Sequence, residues 1–133
     1  MDNEPQAARR AIVTASDSGI GKATAVALAA QGLDVGITWH TDEAGAQQTA
    51  DEVRSHGRQA FVARLDTSDV PGCADVVDAL ADRLGGLDVF VNNAGTGDGT
   101  LLVDLAWEDW RHVVTVDLDG AFVCLQRAAR RIL

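Results

Sequence analysis

Tyrosine is absent from the 133 residues, and lysine occurs once, at Lys22. No step that needs a phenol as proton donor can therefore be supplied from within the chain. Cysteine is scarce as well. Cys73 and Cys124 form neither a C-x-x-C pair nor a cluster, which argues against a disulfide scaffold and fits a reducing, cytoplasmic setting. The three histidines, His40, His56 and His112, lack metal-ligand spacing, so no metal site is expected, and His56 and His112 read as ordinary surface groups. No apolar run is long enough for a membrane span, and the polar residues 1–10 do not read as a signal peptide. Basic residues are outnumbered eleven to twenty, leaving a formal net charge of -9 that opposes binding to nucleic acid or an anionic membrane. A single dinucleotide is still compatible with that balance, since a local site can be cationic inside an acidic protein.

What is present is an ordinary globular composition, 47% hydrophobic and 23% charged, in a length that suits one domain over residues 1–133. Short β-leaning runs alternate with helical periods. Residues 11–14 predict a strand, and from Gly19 a helix follows with Ile20, Ala23, Thr24, Ala27 and Leu28 on its apolar face, stopping at Gly32. Residues 33–39 predict a strand buried on both faces. Thr41 or Asp42 then caps a polar helix that runs to His56 and closes at Gly57. Residues 60–65 predict a third strand. Ser68 or Asp69 opens a helix through Val76, Val77, Leu80 and Leu84 that ends at Gly85 and Gly86. Residues 88–92 predict a fourth strand, and a glycine-rich loop leads to one long helix from about Trp107 onward.

This β-α-β-α-β-α-β-α order implies an α/β fold with parallel strands, right-handed crossovers and helices on both faces. Ligands bind such sheets at the carboxyl ends of the strands. The loop after strand one, Thr14-Ala15-Ser16-Asp17-Ser18-Gly19-Ile20-Gly21, is the first candidate. A diphosphate there meets the unpaired N–H groups and positive end of the first helix, and a Cβ at Gly19 or Gly21 holds phosphate or neighbouring backbone away. Two glycines alone suit a ligand-free turn equally well.

The loop resembles the T-G-x-x-x-G-I-G element of the short-chain dehydrogenases/reductases, with Ala15 where that family usually has glycine. If Ala15 needs a positive φ, it costs roughly 1 kcal/mol. Asp17 puts a carboxylate near the expected phosphates and is expected to turn away, toward backbone N–H groups. Further matches follow in order. Asp66, followed by Thr67, stands where the family's acid contacts the adenine amino group, and Asn92-Asn93-Ala94-Gly95 is similar to the family's N-N-A-G element. The resemblance implies a Rossmann-type doubly wound sheet, its N-terminal half with strand order 3-2-1-4. It also implies a cofactor site drawn from Thr14, Ser16, Ser18, Gly19, Ile20, Gly21, Thr38, Trp39, His40, Asp66, Thr67, Asn92, Asn93, Ala94 and Gly95.

At the end of strand two an acidic residue selects NAD by accepting from the ribose 2′-OH and repelling a 2′-phosphate. Trp39 takes that place here, flanked by Thr38, His40 and Thr41. The hydroxyls and a protonated His40 suit a phosphate, although no Arg or Lys occupies the place and Asp42 and Glu43 follow closely. NADP is favoured over NAD.

The family's catalytic Ser and Tyr-x-x-x-Lys have no counterpart, and Asp117 replaces the Asn of the V-N-x-x-G stretch within Val116-Asp117-Leu118-Asp119-Gly120. No residue is assigned a catalytic role, and Asp117 reads as a capping or solvated acid. The expected reading is a truncated, cofactor-binding portion of an NADP-linked oxidoreductase of alcohols or carbonyls, inactive alone. The alternatives are a stand-alone nucleotide-binding or interaction module and an enzyme completed by another chain. Trp110, Val113, Val114, Leu118, Phe122 and Leu125 give the last helix more apolar surface than one neighbour covers. With strand four as an open edge, self-association or a homo-oligomer is expected.

Overall fold

A computed structural model describes residues 7–97 and 99–133. Four strands, β1 (Arg10–Val13), β2 (Asp34–Trp39), β3 (Ala60–Arg64) and β4 (Val89–Val91), pair in parallel in the order β3-β2-β1-β4. The helices between them are α1 (Gly19–Ala30), α2 (Glu43–Ser55) and α3 (Ala74–Leu84). After β4 come α4 (Trp107–Val114), a π-helical stretch (Thr115–Gly120) and α5 (Ala121–Ile132).

The central strand shows why two layers of helix are needed. Ala11, Ile12 and Val13 are all fully buried, and successive side chains of a strand point to opposite faces. Ile12 joins a core with Val77, Leu80, Leu84, Cys124 and Ala128, under α3 and α5. Val13 joins a separate core with Ala25, Ala29, Ile37, Ala50 and Val53, under α1 and α2. Gly36 lies on the first of these faces, where a Cβ would press on Ile12 Cγ1 at 3.0 Å and Leu84 Cδ1 at 3.4 Å.

Several sequence expectations are corrected. The buried residues of α1 are Gly21, Ala25 and Ala29; of the expected stripe of Ile20, Ala23, Thr24, Ala27 and Leu28, Leu28 packs against the core, whereas Ala23 and Ala27 are exposed and Ile20 is 80% exposed. The helix has apolar residues almost all round, so period alone does not select a face. The smallest residues, spaced four apart, let it settle closest to the sheet. α3 begins at Ala74 rather than at Ser68 or Asp69, because Val70 precedes Pro71, and a residue before proline is driven out of the helical region. β3 ends at Arg64, not Leu65, and β4 keeps only Val89–Val91 of the expected 88–92. The single long helix is instead α4, the π-helical stretch and α5.

Charged groups add ties that composition conceals. Asp34, nearly buried at the start of β2, accepts on Oδ1 from Arg58 Nε at 3.0 Å, Arg58 Nη2 at 2.8 Å and the Gln59 amide at 2.9 Å. Arg127 and Arg131 of α5 pair with Asp75, Asp78 and Asp82 along α3. The Cys73 and Cys124 sulfurs lie 3.9 Å apart between the same two helices as free thiols. Burial pushes the Cys124 thiol up to about 12 and raises Cys73 as well, so both stay protonated and inert at neutral pH.

Candidate cofactor site

The site starts with the turn that β1 must make to enter α1. Ala15 adopts φ +50°, in the left-handed region that the sequence comparison anticipated, and Gly19 follows at φ +54°. Hydroxyls hold the turn from beneath. The Ala15 amide donates to Thr38 Oγ1 at 2.9 Å, the Ser16 amide to the Thr38 carbonyl at 3.0 Å, and Ser16 Oγ to the Val13 carbonyl at 2.7 Å. From α2, Thr49 Oγ1 donates to the Ser16 carbonyl at 2.8 Å. Thr49 was missed in the sequence: it is fully buried in the fold, and no local pattern in the polar helix marks it.

The loop after β4 is tied to the same turn. Thr14 Oγ1, fully buried, accepts from the Asn93 and Ala94 amides, both at 2.9 Å. Asn93 Nδ2 returns donors to the Thr14 carbonyl at 3.1 Å and the Ala15 carbonyl at 3.2 Å. Asn92 Nδ2 donates to the Ala121 carbonyl at 2.9 Å, linking β4 to α5. Thr14, Ser16 and Asn93 thus brace the two loops against each other.

The strained alanine yields a direct expectation. Ala15→Gly should stabilise the fold by up to about 1 kcal/mol, because relief of the left-handed φ outweighs the greater freedom that glycine gives the unfolded chain. Urea midpoints compare the two chains, and a less stable Ala15→Gly variant would refute the strain assignment.

The two glycines of the loop do different work. A Cβ on Gly19 would meet nothing within 4 Å, so the space above it is open. A Cβ on Gly21 would run into the Ala15 carbonyl oxygen and approach Asn93 Nδ2 at 2.6 Å. Gly21 therefore serves packing of helix on turn, and Gly19 borders open space. α1 begins at Ser18 with no side-chain cap and no acid in its first turn. Its first N–H groups thus lack side-chain acceptors, and the macrodipole favours an anion there. The contrast with α2 is direct: Asp42 Oδ1 accepts from the Gly45 amide at 2.9 Å and caps it. Asp17, expected to cap backbone N–H groups, has no side-chain hydrogen bond among the described residues. It is half-buried beside the turn.

A cleft of about 180 Å³ opens at the carboxyl ends of the strands, between Ala15, Thr38, Trp39, His40, Asp66 and Thr67 on one side and Ala94, Gly95 and Val116 on another. It unites residues from all four strand ends. Of the expected set, Ser18, Gly19 and Ile20 are exposed at the head of α1 outside the cleft walls, while Thr14, Ser16 and Asn93 lie behind them. His112, an exposed surface group as expected, also reaches the cleft edge.

Asp66 is held in place. Its Oδ1 accepts from the Ser68 hydroxyl at 2.6 Å and the Ser68 amide at 3.0 Å, and Oδ2 stands 3.5 Å from His40 Nε2. The bonds from Ser68, with smaller help from His40 and Arg64, lower its pKa against a partial desolvation penalty, keeping it ionised. Across the cleft the π-helical stretch is anchored at two points. Asp117 Oδ1 accepts from the Thr96 amide at 2.7 Å, tying the helix to the loop after β4, and Gly120 lies so close to Thr67 that a Cβ would strike the Thr67 carbonyl and sit 2.8 Å from its Cβ. A widened turn is a common accommodation at functional sites, and local periodicity did not reveal it.

A parallel 3-2-1-4 sheet with an uncapped helix entry and a strand-end cleft defines a dinucleotide-binding fold. The chain belongs to the short-chain dehydrogenase family, whose model matches residues 9–133. It is 52% identical over 126 residues to the oxidoreductase YohF of Escherichia coli (strain K12), covering 95% of this chain and 50% of that protein. Against the crystal structure of acetoin dehydrogenase YohF from Salmonella typhimurium it gives a TM-score of 0.89 at 51% identity, over 93% of this chain and 49% of the other. A short-chain dehydrogenase from Burkholderia cenocepacia in complex with NADP matches at 38% identity with a TM-score of 0.89, over 93% of this chain and 51% of that one. A further solved neighbour is a complex with NAD. The chain thus spans about half the length of the relatives it matches. Among the described residues no helix is long and apolar enough to cross a membrane.

Proposed function

We propose that this chain is the cofactor-binding part of an NADP-linked oxidoreductase acting on alcohols or carbonyls. The observation that carries the reading is the uncapped entry of α1 beside a cleft lined from all four strand ends. The N–H groups of Gly19, Ile20 and Gly21 hold the diphosphate, with Ser18 at the rim. The ionised Asp66 and neighbouring Thr67 face the adenine, and Ala94 and Gly95 leave room for the cofactor to pass. Thr38, Trp39 and His40 border its ribose. The bound dinucleotide exchanges a hydride with the substrate; this chain binds and orients it.

Three features support the finer claims. No carboxylate stands at the end of β2, which favours NADP over NAD. The chain has no tyrosine and no Lys beyond Lys22, which pairs with Glu52 at 2.9 Å, so the Tyr and Lys of the family's proton-donating pair have no counterpart within it. Leu118 and Phe122, 63% and 58% exposed, with Trp110 and Leu125 also exposed on the helices to either side, favour self-association through this helical surface. A cytoplasmic location accords with the two free thiols.

Calorimetric titration of the purified chain tests the reading. NADPH should bind more tightly than NADH, and no NADPH oxidation in proportion to protein should appear with simple carbonyls, since a positioned acid alone contributes about 10²–10⁴-fold. Tighter NADH binding would overturn the selectivity, binding of neither would overturn the cofactor role, and protein-proportional turnover would overturn the assignment as a binding part.

A further inference from the structure

We propose that Arg64, the last residue of β3, is the specificity-determining residue that grips the 2′-phosphate of the cofactor. The proposal rests on the NADP reading above and adds the cation which the sequence around Trp39 lacks. In the parallel register of β2 and β3, Trp39 is the partner of Arg64, so two residues distant in sequence stand side by side at the carboxyl edge. That is the end of β2 where a ribose 2′-substituent is read.

Arg64 is held and yet unspent. Its Nε donates to the His40 carbonyl at 3.1 Å, and its guanidinium carbon lies 5.9 Å from the centre of the Trp39 ring. Those contacts orient the side chain, while its two terminal nitrogens have no hydrogen-bond partner among the described residues. Lys22, Arg54, Arg58, Arg127 and Arg131 are engaged in ion pairs. Arg9, Arg10, Arg83, Arg111 and Arg130 are, like Arg64, in none among the described residues; of these Arg64 is the one paired with Trp39 in the sheet. It is exposed, and although it does not itself line the cleft, its sheet partner Trp39 and its chain neighbours Leu65 and Asp66 do.

Of the nearby acids, Asp42 accepts from the Gly45 amide, and Asp66 accepts from Ser68 and stands by His40, with a weaker electrostatic pull from Arg64. Arg64 hydrogen-bonds neither of them, nor the unpaired Glu43, which leaves its terminal N–H donors open to an anion. In a chain of net charge -9, a phosphate needs such a local cation, and paired N–H donors of a guanidinium suit phosphate oxygens better than an ammonium does.

The test uses the 133-residue chain, with 2′,5′-ADP and 5′-AMP as probes that differ only in the 2′-phosphate, alongside NADPH and NADH. Arg64→Gln should weaken 2′,5′-ADP and NADPH roughly tenfold or more, the scale of a lost charge-assisted bond. Binding of 5′-AMP and NADH and the thermal midpoint should hold. Arg64→Lys should recover part of the loss, and Arg130→Gln, an exposed residue of α5 in no ion pair among the described residues, should change nothing. Equal weakening of both probes would make Arg64 a structural support and overturn the proposal. A wild-type preference for 2′,5′-ADP that survives Arg64→Gln would also overturn it while leaving the NADP reading intact. A wild-type chain that binds both probes equally, or neither, would overturn both.

Discussion

Replacing Gly21 by alanine is expected to destabilise the chain by roughly 1–3 kcal/mol and to weaken any dinucleotide binding severely. One added methyl collides with the Ala15 carbonyl and crowds Asn93 Nδ2 at 2.6 Å, so α1 must lift off the turn or the turn must move. The turn is pinned by Thr38, Thr49 and Asn93, which leaves the helix entry as the part that shifts. Displacing that entry moves the N–H groups proposed to hold the diphosphate. Gly19→Ala is the natural comparison, since its Cβ meets nothing and only the positive φ is penalised, at roughly 1 kcal/mol. Chemical denaturation of the two variants decides the matter. If Gly21→Ala is no more harmful than Gly19→Ala, close packing of helix on turn is not what the glycine provides.

The second large effect is expected at Thr14, which superficially is only a small polar residue at a strand end. Thr14→Val keeps the shape and removes the oxygen that accepts from the Asn93 and Ala94 amides. A stranded buried donor costs roughly 1–3 kcal/mol, and these two partly buried amides together should cost about that much. The Asn92–Gly95 segment should therefore loosen, with faster amide exchange at positions 93 and 94, a lower urea midpoint and weaker cofactor binding. Thr14→Ser, which keeps the hydroxyl, should recover most of the loss. A Thr14→Val chain as stable as the parent would show that these amides find other acceptors and that the two loops are not coupled through Thr14.

Much of this architecture was legible because its signals are local. Gly32, Gly57 and Gly85 adopt positive φ where the sequence pattern ends each helix, and Asp42 caps α2 through a bond to a residue three positions on. Such features depend on one residue's backbone preference or on a short reach along the chain. The left-handed φ at Ala15 was likewise approachable from one position in the family's motif. Where signals conflicted locally, prediction failed. α1 carries apolar residues almost all round, so size rather than period chose its inner face, and Pro71 held back the start of α3.

The sequence by itself determined the alternation of strands and helices, the parallel class of sheet that follows from it, and the clustering of its distinctive residues at strand ends. It also determined that no tyrosine and only one lysine are available for chemistry. Only the tertiary structure decided what those strand-end residues touch. It turned Thr14, Ser16 and Thr38 inward as braces, widened the helix at Asp117 and Gly120 over Thr67, and set Arg64 beside Trp39. The reason is geometric: backbone preference and period act over a few residues, whereas neighbours across a parallel sheet are fixed by register, and each crossover helix separates them by about twenty or more positions in the chain.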